Sequence, residues 1–259
     1  MASKTYKMRG LVLKKTKLGE KDLIVSMLDE SGMLVQGVAK GARKPGGSFA
    51  ARLELFSEVD VLMAQGRSLD VVCEARLTQP SRSRSWTLEQ SACAAPLAEL
   101  LGQVAQPDLR QSRVYAISQS AFDYMGDDAL QPSAWVAICA ASLWKVMEQV
   151  GYRPSFTSCV SCGAGVELAD DVRSVALSVG EGGLVCGDCR RPADAIVVDS
   201  SVVRWCEALI YLRFSEIADM AVDLEAIVET LQIARMWARV HVGRDLKALD
   251  FLFSAGIIL

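Results

Sequence analysis

The chain has 259 residues, 51% of them apolar, and a formal net charge of −3 at pH 7. That size holds two or three small domains with a substantial core, and the composition excludes a disordered chain. The longest apolar run, Ala134 to Ala141, has eight residues, far short of the ~20 that span a membrane.

We therefore expect a soluble, cytoplasmic protein with no membrane partner. Met1 to Arg9 is charged and no apolar segment follows it, which argues against a secretory leader. The charge is unevenly spread. Met1 to Arg84 carries 15 Lys and Arg against 9 Asp and Glu, a balance of +6, and the remainder carries −9. A basic head on an acidic body suggests that the head meets a polyanion.

In chain order, the first 77 residues read as strands. Arg9–Thr16 and Leu23–Leu28 come first. Asp29-Glu-Ser-Gly32 is a hairpin turn, and Met33–Ala39 is the third strand. Glu54–Met63 and Leu69–Leu77 follow, with Gln65-Gly-Arg-Ser68 turning between them. Five short strands fit a small closed barrel, either OB or SH3-like, and strand count does not separate the two. The loop Lys40–Ser48 holds three cations, three glycines and a proline, so it reads as mobile and basic.

Gln79–Ser85 reads as a linker. The periodicity then becomes helical: Leu88–Val104, Val114–Met125, and Pro132 to about Val150, with Pro132 near a helix start where proline is tolerated. Gly151-Tyr-Arg-Pro154 stops the third helix. A cysteine-bearing insert follows, with a strand at Ser174–Val179 and a turn at Gly180–Gly183. Three more helices are expected over Ser200–Phe214, Asp223–Val240 and Arg244–Phe253, with Ser200 and Ser201 as N-caps. The expected division is a barrel at 1–78, a linker at 79–85, a helical domain at 86–154 and 193–259, and an insert at 155–192.

The insert carries Cys159-Val-Ser-Cys162 and Cys186-Gly-Asp-Cys189, separated by 23 residues. Two residues between cysteines let one turn aim both sulfurs at a single ion. Two such turns complete a four-cysteine zinc site. A shell of four thiolates leaves no position for water or substrate, so one zinc there is structural. The alternative is a thiol-redox or metal-handling protein that uses the same pairs as reactive groups. Cys73, Cys93, Cys139 and Cys206 lie among apolar neighbours and read as buried.

Enzymatic constellations are missing. There is no Gly-x-x-x-x-Gly-Lys-Ser/Thr phosphate loop, and the single histidine, His241, reads as structural or surface. No His-x-Glu element precedes a Cys-x-x-Cys as a zinc deaminase requires. Asp127-Asp128 and Asp170-Asp171 read as solvated turns.

The cations of the head are clustered instead: Lys14, Lys15, Lys17, Lys21, Lys40, Arg43, Lys44 and Arg52. In a closed barrel the end of the first strand and the loop after the third can line one groove, where neutralising phosphates releases counterions. Aromatic stacking platforms are few. Tyr6, Phe49 and Phe56 are the candidates. Phe56 is expected inside the barrel and Phe49 exposed.

The chain resembles the bacterial recombination mediator family RecO over essentially its whole length. The resemblance rests on Arg9-Gly-Leu-Val-Leu with Gly19-Glu-Lys-Asp22, on Gly37–Arg43, on Leu53-Glu-Leu-Phe56, on Gly151-Tyr-Arg-Pro154, on the two cysteine pairs and on Leu246–Leu252. It implies an α+β multidomain fold: a five-stranded OB barrel, then a helical bundle with an inserted zinc knuckle. It also implies a non-enzymatic DNA repair and recombination factor, cytoplasmic and nucleoid-associated. Such a factor binds single- and double-stranded DNA, anneals complementary strands, and helps load recombinase on strands coated by single-strand-binding protein. Its implied partners are RecR and the acidic C-terminal tail of that coating protein. Carried over, the four cysteines become zinc ligands and the eight cations become candidate DNA contacts.

Overall fold

The computed structural model describes residues 4–44, 49–78, 86–169 and 172–254. Pro45–Ser48 of the basic loop, the expected linker and Asp170-Asp171 lie outside the described residues. The chain divides into two compact units, Met1–Thr87 with Leu101–Phe122, and Leu88–Leu100 with Asp123–Leu259.

The first unit is built on five strands: β1 (Thr5–Leu18), β2 (Asp22–Asp29), β3 (Leu34–Ala39), β4 (Glu58–Ala64) and β5 (Asp70–Leu77). They close in the order β1-β2-β3-β5-β4. Only β3 and β5 run parallel. The long β1 makes closure possible. Its first half pairs with β4 and its second half with β2, and a register shift after Val12 bends it between them. This is an OB-like barrel. Its core is apolar, with Val12, Val25, Met27, Val59 and Met63 fully buried. Leu53, in the 3-10 turn Ala50–Leu53, adds to that core.

Part of the region expected to be purely helical belongs to the barrel's unit. Helix α1 runs over Leu88–Val104 and α2 over Ser112–Met125. The segment between them is tied to the β2–β3 hairpin: Gln111 N donates to Ser31 O at 2.7 Å, and Leu34 N to Gln106 O at 3.2 Å. Gly32 permits this approach. A Cβ there would lie 2.2 Å from Gln111 O, and its φ of +83° is the left-handed region glycine favours. On α2, Tyr115 Oη and Gln119 Nε2 both donate to Glu58 Oε1, at 2.5 and 2.9 Å. Burial, then the bond to Glu58, pushes the Tyr115 hydroxyl pKa well above its usual value.

Phe56 is buried, but not in the barrel core. With a φ of +65° it turns its ring onto Trp86 and Phe122, at centroid distances of 5.1 and 5.4 Å.

In the second unit α3 (Pro132–Gln149) is the central helix. Proline opens it, and Lys145 is the one residue from Ala134 to Met147 that is not buried. A helix apolar all round must be surrounded. It packs on α4 (Ser200–Tyr211), α5 (Phe214–Asp219) and α6 (Leu224–Trp237). Trp144 and Trp237 stand 6.0 Å apart at the centre. Lys145 lays its stem in this core, donates from Nζ to Ile210 O at 2.6 Å, and has its pKa lowered by burial. After α6 the chain widens into a π turn, Ala238–Val242, ended by Gly243 at φ 77°. Helix α7 covers Lys247–Ser254. Among the described residues no helix is long and apolar enough to cross a membrane.

Several local expectations change. The run Ser200–Phe214 is split at Leu212-Arg213, where Arg213 N donates to Glu216 Oε2 at 2.6 Å and starts α5. The N-cap of α4 is Asp199, whose carboxylate accepts from Ser201 N at 2.8 Å, rather than either serine. The insert at 155–192 holds two strands, not one: β6 (Ser174–Ser178) and β7 (Gly183–Val185). A third, β8 (Ala195–Asp199), falls in the stretch expected to be helical and completes the sheet in the order β7-β6-β8. Cys93, Cys139 and Cys206 are buried as expected, but Cys73 is exposed.

Candidate functional site

Two features concentrate chemistry. The first is one end of the barrel. The β1–β2 turn pivots on Gly19 (φ +59°) and the loop after β3 on Gly41 (φ +66°). The two turns are joined by hydrogen bonds. Asp22 Oδ1 accepts from Gly41 N at 2.7 Å, Arg43 N donates to Lys21 O at 3.0 Å, and Arg43 Nη1 donates to Gly19 O at 2.9 Å. The register carries Lys17 to the same place, since Lys17 pairs with Leu23 and Leu23 with Ala39, next to Lys40. Lys17, Lys21, Lys40, Arg43 and Lys44 therefore share this end, all exposed.

The other three cations stand apart. Lys14 pairs with Ser26 on the opposite face of the ladder from Lys15 and Lys17. Lys15 is half-buried and bonded to Glu54 Oε2 at 3.2 Å. Arg52 lines a separate groove of about 1130 Å³. That groove also holds Lys7, Arg9 and Arg76, which the sequence reading did not single out, and Glu30, Asp60 and Glu74 offset their charge. Arg9 is bonded to Asp60 at 2.8 Å. The signal for these cations was alternation along β1 and β5, visible only once strand pairing is known.

None of the aromatic candidates stands free at the basic end, and Phe49 lines the groove that holds Arg52. Tyr6 is half-buried and its hydroxyl donates to Asp70; burial, then that contact, raises its pKa. Phe49, expected exposed, is half-buried and packed against the barrel core.

The second feature is the four-cysteine cluster. The sulfurs of Cys159, Cys162, Cys186 and Cys189 all lie within 4.8 Å of one another. Bonds of ~2.3 Å to a tetrahedral metal give sulfur–sulfur edges of ~3.8 Å. Cys162 and Cys186 are 3.7 Å apart, far beyond the ~2.05 Å of a disulfide. The donor set and spacing fit a metal ion, and every cysteine is a free thiol.

The chain builds this cluster from short-range pieces. Gly163 N donates to Cys159 O at 2.8 Å, closing the first turn, and Cys189 N to Cys186 O at 3.3 Å, closing the second. The β6–β7 hairpin delivers Cys186 directly after Val185. Leu184 N donates to Ser155 O and Val160 N to Leu184 O, both at 2.9 Å. Gly183 allows this approach, because a Cβ there would sit 2.4 Å from Ser155 O.

The Cys186 amide, 3.3 Å from Cys159 Sγ, holds the Cys159 thiol down to about 6. Hydrogen bonds to Cys162 and Cys186 push Cys189 up to about 12. Four sulfurs this close carry charge together only around a cation.

His241 is structural, as expected. It lies 4.5 Å from the Trp237 ring and 6.0 Å from that of Tyr152, and its Nε2 is 2.8 Å from Val179 O. Asp127 also serves a turn: its carboxylate accepts from Ala129 N and its carbonyl from Trp135 Nε1.

An OB-like barrel with a basic end, followed by a helical unit bearing a cysteine-built centre, defines a class of modular protein. Family comparison places the chain within that class. The family described as Recombination protein O N terminal matches residues 1–81, and Recombination protein O C terminal matches residues 86–250. The chain belongs to the recombination protein O family.

Among curated proteins it is similar to "DNA repair protein RecO" of Frankia casuarinae, 30% identical over 96% of this chain and 99% of the relative. The protein of the same name from Bifidobacterium longum is 28% identical, over 96% and 99%. That of Synechococcus sp. is 28% identical, over 98% and 91%.

Proposed function

We infer that this protein is a non-enzymatic DNA repair and recombination mediator of the cytoplasm and nucleoid. It binds single- and double-stranded DNA through the barrel, anneals complementary strands, and assists recombinase loading on strands coated by single-strand-binding protein. RecR and the acidic tail of the coating protein are its partners. One observation supports the reading above the others: two turns, welded through Asp22 and Arg43, gather Lys17, Lys21, Lys40, Arg43 and Lys44 at one barrel end. Exposed cations held in one place suit a phosphate backbone, and binding there releases counterions without reading sequence. The aromatics fit the same picture, since base stacking has no free ring at that end among the described residues.

Lys14 and Arg52 belong to the proposal as secondary contacts, and Lys15 as a weaker one because Glu54 already engages it. The cysteine centre holds one structural zinc. That ion supplies charge balance and cross-linking, while the chain's own turns supply the ligand positions.

Annealing of complementary oligonucleotides coated with single-strand-binding protein tests the reading. The wild-type chain accelerates annealing, and a Lys40→Glu, Arg43→Glu, Lys44→Glu variant does not. Equal rates with and without the wild-type chain would overturn it.

A further inference from the structure

Among the described residues, the three-stranded sheet of the second unit ends in an open edge: strand β8 has β6 on one side and no strand on the other. Its unpaired backbone groups can be assigned. Ser200 N donates to Arg173 O at 3.0 Å, extending the register in which Ser174 faces Asp199 and Val175 faces Val198. Hydrogen-bonded pairs alternate along an antiparallel ladder. The amides of Val198 and Ile196 therefore turn toward β6. The N–H groups of Val197 and Asp199, and the carbonyls of Ala195 and Val197, turn outward.

This edge opens onto a groove of about 860 Å³ between β8, α6 and α7. Residues Ile196 to Asp199 all line it in succession. Side chains alternate between the two faces of a strand, so four consecutive lining residues mean that the groove runs along the edge itself. The far wall is apolar, with Val228, Met236 and Phe253. Val197, at the middle of the edge, is 60% exposed. The lining carries three carboxylates, Asp199, Glu225 and Glu229, and no Lys or Arg.

We propose that this groove is a docking site for an extended segment of a partner protein, which adds as a fourth strand along β8 and carries Lys or Arg beside apolar residues. The outward groups of Val197 supply main-chain hydrogen bonds, as in strand addition to an open sheet edge. Val228, Met236 and Phe253 take the apolar side chains. The carboxylates select a cationic segment and disfavour an acidic one.

The test uses the full chain and a fluorescent heptapeptide, Lys-Val-Lys-Val-Lys-Val-Lys, with its Glu-for-Lys counterpart as the contrast. The Lys peptide binds, and the Glu peptide binds at least tenfold more weakly. Val197→Pro removes one outward N–H, which an edge strand tolerates, and weakens the Lys peptide at least tenfold. Glu225→Lys with Glu229→Lys does the same. N-methylation of alternate amides of the probe removes the same bonds from the ligand's side, and abolishes binding to the wild-type chain even if Val197→Pro fails to fold. No binding of the Lys peptide at millimolar concentration would overturn the proposal. So would equal binding of the Glu peptide, or equal binding of the N-methylated probe.

Discussion

Arg43 bonds to Gly19: its guanidinium donates to the glycine carbonyl at 2.9 Å and so fixes the loop after β3 against the β1–β2 turn. The same junction is held from the other side by Asp22, which accepts from Gly41 N at 2.7 Å. Asp22→Ala separates geometry from charge. It makes the barrel end more positive, so simple charge attraction predicts tighter DNA binding. Loss of the anchor predicts the reverse, because a mobile loop must be ordered at binding. Affinity for a single-stranded oligonucleotide should fall by about 2- to 5-fold, read by fluorescence anisotropy at fixed salt.

Lys15 and Lys40 differ in availability. Lys15 is half-buried and engaged with Glu54, and Lys40 is exposed. Lys15→Ala should weaken single-strand binding less than Lys40→Ala. Its effect on stability should stay within ~1 kcal/mol, the range of a surface ion pair. Parallel anisotropy and urea titrations check both halves.

Gly32 sits where only glycine fits. Gly32→Ala places a Cβ 2.2 Å from Gln111 O at a φ of +83°. The cost should be about 2 kcal/mol. Urea unfolding should show a lower midpoint with an unchanged slope.

Asp199 caps α4, and its bonds to Ser201 hold its carboxyl below the usual carboxylate range. A depressed folded pKa gives stability that is present above the unfolded value, ~3.9, and that is lost as pH falls through the folded value. The melting temperature of Asp199→Ala should lie below wild type at pH 7, and the gap should narrow below about pH 4. Paired thermal melts at pH 7 and pH 3 measure it.

The cysteine centre should bind one zinc per chain. Cys162→Ser should lose the metal and lower the melting temperature, because ligand binding is part of that unit's folding free energy. Single-strand affinity should change less than about threefold, since the cations lie in the other unit. Metal analysis, thermal melts and anisotropy on one preparation check all three.

The barrel was legible because its strands alternate apolar and polar residues and its turns carry glycine. The cysteine centre was legible because two Cys-x-x-Cys turns leave little else to build. Other features depend on packing partners that a linear pattern does not name. Leu88–Val104 and Val114–Met125 read as ordinary amphipathic helices, and contacts such as Gln111 against Gly32 and Tyr115 against Glu58 reveal that Leu101–Phe122 joins the barrel's unit. Strand β7 has three residues, too few for any period. The exposure of Cys73, the burial of Phe49 and the capture of Lys15 by Glu54 were equally invisible. Cys73 falls at a register shift between β4 and β5, and Phe49 and Lys15 meet partners that only the fold brings near.

We propose that the cations gathered by the Gly19 and Gly41 turns bind the DNA backbone. Salt titration of single-strand affinity tests it most directly, comparing wild type with Lys40→Ala, Arg43→Ala, Lys44→Ala. On a log–log plot each phosphate contact on a single strand contributes ~0.7 to the slope. The variant should therefore bind more weakly, and its slope should be shallower by about 2 if all three cations make contacts. An unchanged slope and unchanged affinity would show that these cations do not contact the strand.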